Sequence, residues 1–449
     1  RGALSATVNG SLTVTNSINM ASVNGTKNVG GFIGNVEDLK QAVDISFEHC
    51  ANGGKVSLSD HYCNWVGGFV GGIYRNTKVS MTIFNSTNNG DIAASCSGIP
   101  GGFVGGFIAN INAKMTISDS VNNGIVTGVS SKAGGVVGGI VSDYGVTMTV
   151  SNSINNGDVT ALDDTGGFVG CIAPYKTKTF LTISNSTNNG NVSGRTEVGG
   201  FAGYVKNNAD ITITVSNSTN NGVVTASEDS VGGFIGDITL YIGKLVSTIS
   251  NSTNNGNITG KGDYTGGLAG SVYTNTFITM TISNTTNNGN VTGTQDYTGG
   301  FAGHVTSKTI VLTIADFINN GIVTGIQNYT GGFVGDILDK ENMTVTISNS
   351  ANKGKTIGGG GHVGGLVGCI TKGKTSAEIT ISFCTNDAIV TGETYVGGFI
   401  GSIANNTNMT ITVSNSINNG GTTGTGDYVG GFIGLIDSNI NMTAAISNS

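Results

Sequence analysis

One sentence recurs through this chain with a period of about 33 residues, and that period constrains the fold more than any other feature. "ISNSTNNGNITGKGDYTGGLAG" occupies 249–270, and "ISNTTNNGNVTGTQDYTGGFAG" occupies 282–303. A Gly-Gly-apolar-apolar-Gly landmark begins at Gly30, Gly67, Gly101, Gly134, Gly166, Gly199, Gly232, Gly266, Gly299, Gly331, Gly364, Gly397 and Gly430. A unit this short cannot bury its own apolar face, whereas stacked copies can. The even spacing predicts one architecture over 1–449, with no linker and no domain boundary.

Within each unit the residues read as short strands broken by turns. "TISNS" alternates β-branched and small polar residues, the pattern of a half-buried strand. "NNG" follows as a turn, since Asn and Gly tolerate positive φ. A short "NVTG", a variable tip and a "GGFAG"-type segment complete the unit. No stretch carries a 3.6-residue apolar period over ten residues, so helix is not expected. The expected fold is all-β: a parallel β-solenoid (β-helix) of about thirteen ~33-residue coils, roughly 60 Å long at the strand spacing.

Composition narrows the class. Gly is 75 of 449 residues and Pro only 2, which excludes collagen. Apolar residues at 37% come in clusters able to form a core. Charged residues are 10%, with a formal net charge of −7 and no basic patch, so nucleic acid is not an expected partner. No apolar run is long enough for a membrane-spanning helix. The sequence starts at Arg1, and it opens and closes inside repeats, so a longer chain is expected.

Alternation makes a further prediction. If Ile282 faces inward, Asn284 does too, and a buried amide must be paired. Asn85, Asn152, Asn217, Asn251, Asn284, Asn349 and Asn415 are therefore expected to form a buried asparagine ladder, each amide bonding to the next coil.

The residues at this point resemble the GLUG-motif repeat proteins, large surface proteins of bacteria and some protists. The counterparts are Gly364-Gly365-Leu366-Val367-Gly368, "ISNS" at 347–350 and "GNV" at 289–291. Phe usually replaces Leu, and the unit is somewhat longer. The resemblance implies an extracellular stalk, adhesin or coat protein and no catalytic residue.

Each candidate site in the sequence also has a plainer role. Cys63 and Cys96 stand one coil apart, which brings them toward disulfide range. Cys171 and Cys369 share a phase six coils apart, roughly 29 Å, and cannot pair. Cys50, Cys171 and Cys384 read as small buried hydrophobes. His49, Cys50, His61 and Cys63 lack zinc-finger spacing. Gly-Gly-Phe-x-Gly-Asp at Gly232–Asp237 and Gly331–Asp336 lacks calcium-repeat spacing. No metal and no cofactor is therefore expected. Among the Asn-x-Ser/Thr sequons, Asn191, Asn257, Asn290, Asn342, Asn408 and Asn441 are expected to be accessible for glycan, and Asn251 and Asn284 to be buried. Asp263, Asp296 and Asp427 recur beside Tyr264, Tyr297 and Tyr428, with Tyr329 and Tyr395 in the same phase; the tyrosines form either a sugar-stacking ridge or a ridge packed on itself.

The expected function is an extracellular or cell-surface structural rod without catalysis, partnered end to end with itself or with a surface or host ligand. Two alternatives stay open. A carbohydrate-binding or carbohydrate-active β-helix needs a polar cluster on one face. An ice-binding solenoid needs flat outward Thr columns, for which Thr82, Thr116, Thr182, Thr281 and Thr410 have the outward phase.

Overall fold

The computed structural model describes residues 3–4, 10–37, 42–59, 64–76, 78–95, 97–109, 113–129, 132–142, 144–174, 176–372, 376–405, 407–437 and 440–449. They form an all-β, parallel β-solenoid of about twelve turns, successive turns standing some 33 residues apart. Contacts divide the chain into two compact units, Arg1–Val224 and Thr225–Ser449.

In the first unit, each turn runs through the same strands. One turn uses Ala113–Ser118, Val121–Asn122, Val126–Gly128, Ala133–Gly134 and Val137–Ser142. Every strand pairs in parallel with its own counterpart one turn away, like on like: Met81 with Met115, Ile117 with Val150, Asn88 with Asn122, Gly67 with Gly101. Strands such as Ala113–Ser118 alternate between fully buried and partly exposed, as their sequence predicts. The buried set includes Met81, Ile83, Phe69 and Phe103. The Phe69 and Phe103 rings lie 5.0 Å apart, and Phe168 and Phe201 lie 5.2 Å apart. Each fully buried aliphatic or phenyl side chain contributes about 1.5–3 kcal/mol, which a single turn could not collect alone.

The second unit repeats the scheme. Phe277–Asn287, Val291–Gly293 and Thr298–Gly299 lead into Ala302–Asn319. Met280 pairs with Leu312, Thr281 with Thr313 and Ile282 with Ile314. Phe317 breaks a polar column and packs its ring against Phe301 and Phe333, at 6.2 and 4.9 Å.

The asparagine ladder exists, but on different residues from those expected. Asn85, Asn152, Asn217, Asn251, Asn284, Asn349 and Asn415 are all exposed. Each has a positive φ, between 44° and 49°. That left-handed step, which Asn tolerates well, turns the chain at a corner and interrupts the period-two alternation. The residue after the corner points inward, and so does the one two further on. The ladder is therefore Asn19-Asn52-Asn88-Asn122-Asn155-Asn188-Asn220 in the first unit, half-buried at Asn19 and fully buried from Asn52 on. Each Nδ2 donates to the next Oδ1 at 2.7–2.8 Å. In the second unit it is Asn254-Asn287-Asn319-Asn352-Asn386-Asn418, at 2.8–2.9 Å, half-buried only at Asn418. The next asparagine of "NNG" builds a parallel, exposed ladder, for example Asn89-Asn123-Asn156-Asn189-Asn221.

The glycines make room for the buried ladder. A Cβ on Gly300 would collide with the Gly332 carbonyl oxygen and lie 2.8 Å from Asn319 Cγ. The inward residue after each corner adds a hydroxyl column. Ser120 Oγ donates to Ser118 O at 2.8 Å and accepts from Ser86 N at 3.2 Å.

Candidate functional site: a ring column and its polar flanks

The tip of each turn in the second unit ends two residues before the Gly-Gly pair. That position carries Ser230 and then, in successive turns, Tyr264, Tyr297, Tyr329, His362, Tyr395 and Tyr428, with φ between 55° and 65°. The left-handed backbone swings every ring into one column. Centroid separations are 5.2, 4.9, 4.8, 4.7 and 5.5 Å in that order. Tyr297 and Tyr329 are nearly parallel, with 6° between their planes. Of the two readings of the tyrosine ridge, the packing favours a ridge packed on itself: ring meets ring along the whole column. His362 was missed as a member because it is not a tyrosine. Its place before Val363-Gly364-Gly365 was the available signal.

An acidic ladder lies along one side. Asp229 Oδ1 accepts the Asp263 N–H at 2.9 Å, Asp263 Oδ1 accepts the Asp296 N–H at 3.1 Å, and Asp296 Oδ1 accepts the Asn328 N–H at 2.9 Å. Burial pushes the Asp263 carboxyl above the usual carboxylate range. The hydrogen bond from Asp296 opposes this, and the charges of Asp229 and Asp296 add to it. Burial likewise raises the phenols of Tyr264, Tyr297 and Tyr329, with neighbouring acids adding to it.

Beneath the rings runs a second polar column, Asp237, Ser271, His304, Asp336, Cys369 and Ser402, one residue per turn. The two calcium-like motifs therefore send their aspartates, Asp237 and Asp336, into this buried column. His304 Nδ1 stands 3.1 Å from Asp336 Oδ2, and its ring packs 4.9 Å from Tyr297. The Ser402 hydroxyl donates to Cys369 Sγ at 3.2 Å, and its oxygen lies 2.5 Å from His362 Nδ1. This Cys-Ser-His chain resembles a catalytic relay only in composition. Cys369 is 2% exposed and Ser402 0%. Burial pushes the Cys369 thiol up to about 12, with the Asp336 charge adding to it, so the thiolate is suppressed. Burial also lowers the His362 imidazole below its ordinary value, while Asp336 and Asp296 oppose that shift.

In the first unit the same tip position is heterogeneous. Trp65 covers Gly72 and Gly106, where any side chain would overlap the indole. Lys132 pairs with Asp164. Next to the tip position, Arg195 grips Asp163 through Nε and Nη2, at 2.9 and 3.0 Å.

The remaining sequence candidates fall as follows. Asn191, Asn257, Asn290, Asn342, Asn408 and Asn441 are exposed. Asn251 and Asn284, expected to be buried, are exposed as well, because they occupy the left-handed corner. Asn257 Oδ1 accepts the Asn290 N–H at 2.9 Å, and Asn290 Oδ1 accepts the Ile322 N–H at 2.9 Å. Cys63, Cys96 and His61 lie outside the described residues. Cys50, Cys171, Cys369 and Cys384 are free and buried. Cys50 and Cys384 are more than small hydrophobes: they stand in the serine column. Cys384 Sγ contacts Ser382 O at 3.3 Å, and Cys384 N donates to Ser416 Oγ at 3.1 Å. His49 points outward, edge-on to Phe84 at 5.7 Å, while Cys50 points inward. Among the described residues no group of three or more His, Cys, Asp or Glu is placed to hold a metal ion. No helix among them is long and apolar enough to cross a membrane.

The fold and its columns define a β-solenoid tandem-repeat protein. Comparison with family models, with curated proteins and with solved structures finds no match for the chain.

Proposed function

We propose that this chain is a structural repeat segment of an extracellular or cell-surface protein: the rod of an adhesin, coat or filament, without catalysis in this segment. One observation carries the reading. The recurrent residues of the repeat (Asn287 and its counterparts, the glycine pairs, the serine column) are used in stacking one turn on the next. Low charge and exposed sequon asparagines suit a glycosylated surface rod, and the resemblance to GLUG-motif repeat proteins points the same way. Its partners are further copies stacked end to end, or a ligand at a host surface. The test is surface biotinylation of intact source cells, followed by electron microscopy of the native material. Labelled chain in thin rods or filaments is expected. Chain protected from the label until cells are lysed overturns the reading.

Ice binding is a second reading, favoured by Thr248, Thr281, Thr313, Thr346, Thr380 and Thr412, an unbroken outward column. Thr410, expected in that column, stands instead in the neighbouring one, which is interrupted by Val246, Val311 and Glu378, and this weakens the match to a flat lattice. Thermal hysteresis in the purified chain would select it. The carbohydrate alternative loses its stacking platform, since the ring faces are occupied by one another.

A further inference from the structure

We propose that Tyr297 and Tyr329 form an oxidative cross-linking site, at which two phenol side chains of adjacent turns are joined into a dityrosine. Physiologically this rests on the surface-rod reading, which supplies an oxidising setting. The chemistry itself does not.

A bulky residue at positive φ is an outlier whose Cβ crowds the backbone. The same corner uses Asp164 and Ser230 elsewhere, so tyrosine is not required to make the turn. Yet five tyrosines occupy it, at φ 55–65°. Strain kept at one repeated position signals a device built around the side chain. Stacking of ring on ring offsets the strain and fixes the geometry.

That geometry suits radical coupling. The two rings are 4.9 Å apart and 6° from parallel, and both are half-buried. The phenol oxygen and its ortho carbons are the reactive atoms of a tyrosyl radical. Holding two such rings one turn apart replaces a bimolecular encounter by an intramolecular one. The oxidant is a peroxide acting through a haem peroxidase. Each phenol gives up one electron and its O–H proton, the proton going to water. The two phenoxyl radicals form one ortho-carbon to ortho-carbon bond. The two ortho hydrogens then move to the oxygens and restore both phenols. Two electrons and two protons leave in all, and they reduce one peroxide O–O bond. The product staples one turn of the solenoid covalently to the next.

The experiment treats the dilute purified chain with a haem peroxidase and hydrogen peroxide. Peroxide is raised until Tyr241, which is 45% exposed, is modified. Peptides are then analysed by mass spectrometry. The expected result is a linked peptide pair containing Tyr297 and Tyr329, lighter by two hydrogens than the sum of its parts. It should form within single chains when labelled and unlabelled protein are mixed, and it should be lost when the chain is first unfolded in urea. Tyr329→Phe keeps the ring but not the phenol; it should lose this link and keep any Tyr264–Tyr297 link. The proposal is overturned if Tyr241 is oxidised while the Tyr297 and Tyr329 peptides are recovered unlinked. It is equally overturned if linkage is only between chains, or proceeds as well in urea. Surface labelling is read separately, so either reading can fail alone.

Discussion

The Asn287 amide donates to Asn319 Oδ1 at 2.8 Å, and both side chains are fully buried. The same Nδ2 also donates to Gly289 O at 2.9 Å, while Asn287 Oδ1 accepts from Asn254. One side chain thus satisfies three neighbours. A buried group left unpaired costs about 1–3 kcal/mol. Asn287→Ala is therefore expected to destabilise the second unit by about 3–5 kcal/mol, measured by urea unfolding. Asn288→Ala, in the exposed ladder, should cost well under about 1 kcal/mol. Equal costs would refute the assignment of the ladder to the inner asparagine.

The glycine pair offers an internal control. Gly300 and Gly431 both stand second in their pairs. A Cβ on Gly300 meets the Gly332 carbonyl and the Asn319 amide, whereas a Cβ on Gly431 meets nothing within 4 Å. Gly300→Ala should cost about 1–3 kcal/mol or more through overpacking, and Gly431→Ala should be close to neutral. Paired thermal melts of the two variants check this. A neutral Gly300→Ala would mean that the coil-to-coil approach is looser than it stands here.

Much of this was legible in the chain itself. The period, the strand at 282–283 and its counterparts, the "NNG" turn and the parallel stacking all follow from spacing and alternation. The ladder was legible in kind but not in place. Alternation was carried through Asn284, whose φ of 45° reverses it. Asn before Ser or Thr at the end of an alternating strand is also what a left-handed corner looks like, and Asn284-Thr285 carries that signal. The tyrosine column was visible as a recurrence. His362 was not, because a search by residue type skips a ring of another kind. The pair His304 and Asp336 could not be read from either residue alone, since only the register of the turns brings them together.

Cys384 tests the serine column. Its counterparts donate a hydroxyl to the carbonyl two residues before and accept an N–H from the preceding turn, as Ser350 does with Ser348 O and Phe317 N. A thiol does both weakly. Cys384→Ser is expected to be neutral or to stabilise by about 0.5–1 kcal/mol, and Cys384→Val to destabilise by about 1 kcal/mol. Denaturant midpoints of the two variants distinguish this from a purely apolar site, where Val would be the better replacement.

His362 gives the chain an acid-sensitive turn. Its ring is stacked between Tyr329 and Tyr395, with Ser402 at Nδ1 and the charges of Asp336 and Asp296 nearby. Burial is the largest influence and lowers its folded-state value below 6.5, the two aspartates only partly opposing it. Below 6.5 the unfolded chain therefore binds a proton that the folded chain resists. Stability contributed at His362 is complete above 6.5 and falls as pH drops toward the lower folded value. Asp263 works the other way in a lower window. Its folded value is raised above 3.8, so acidification through that raised value adds stability. His362→Tyr continues the tyrosine column and removes the titrating group. It should flatten the loss of stability between neutral pH and the region below 6.5, at the expense of the Ser402 contact. Urea midpoints of the parent chain and of His362→Tyr, taken on both sides of 6.5, provide the measurement. The same slope in both proteins would assign the acid sensitivity to other groups.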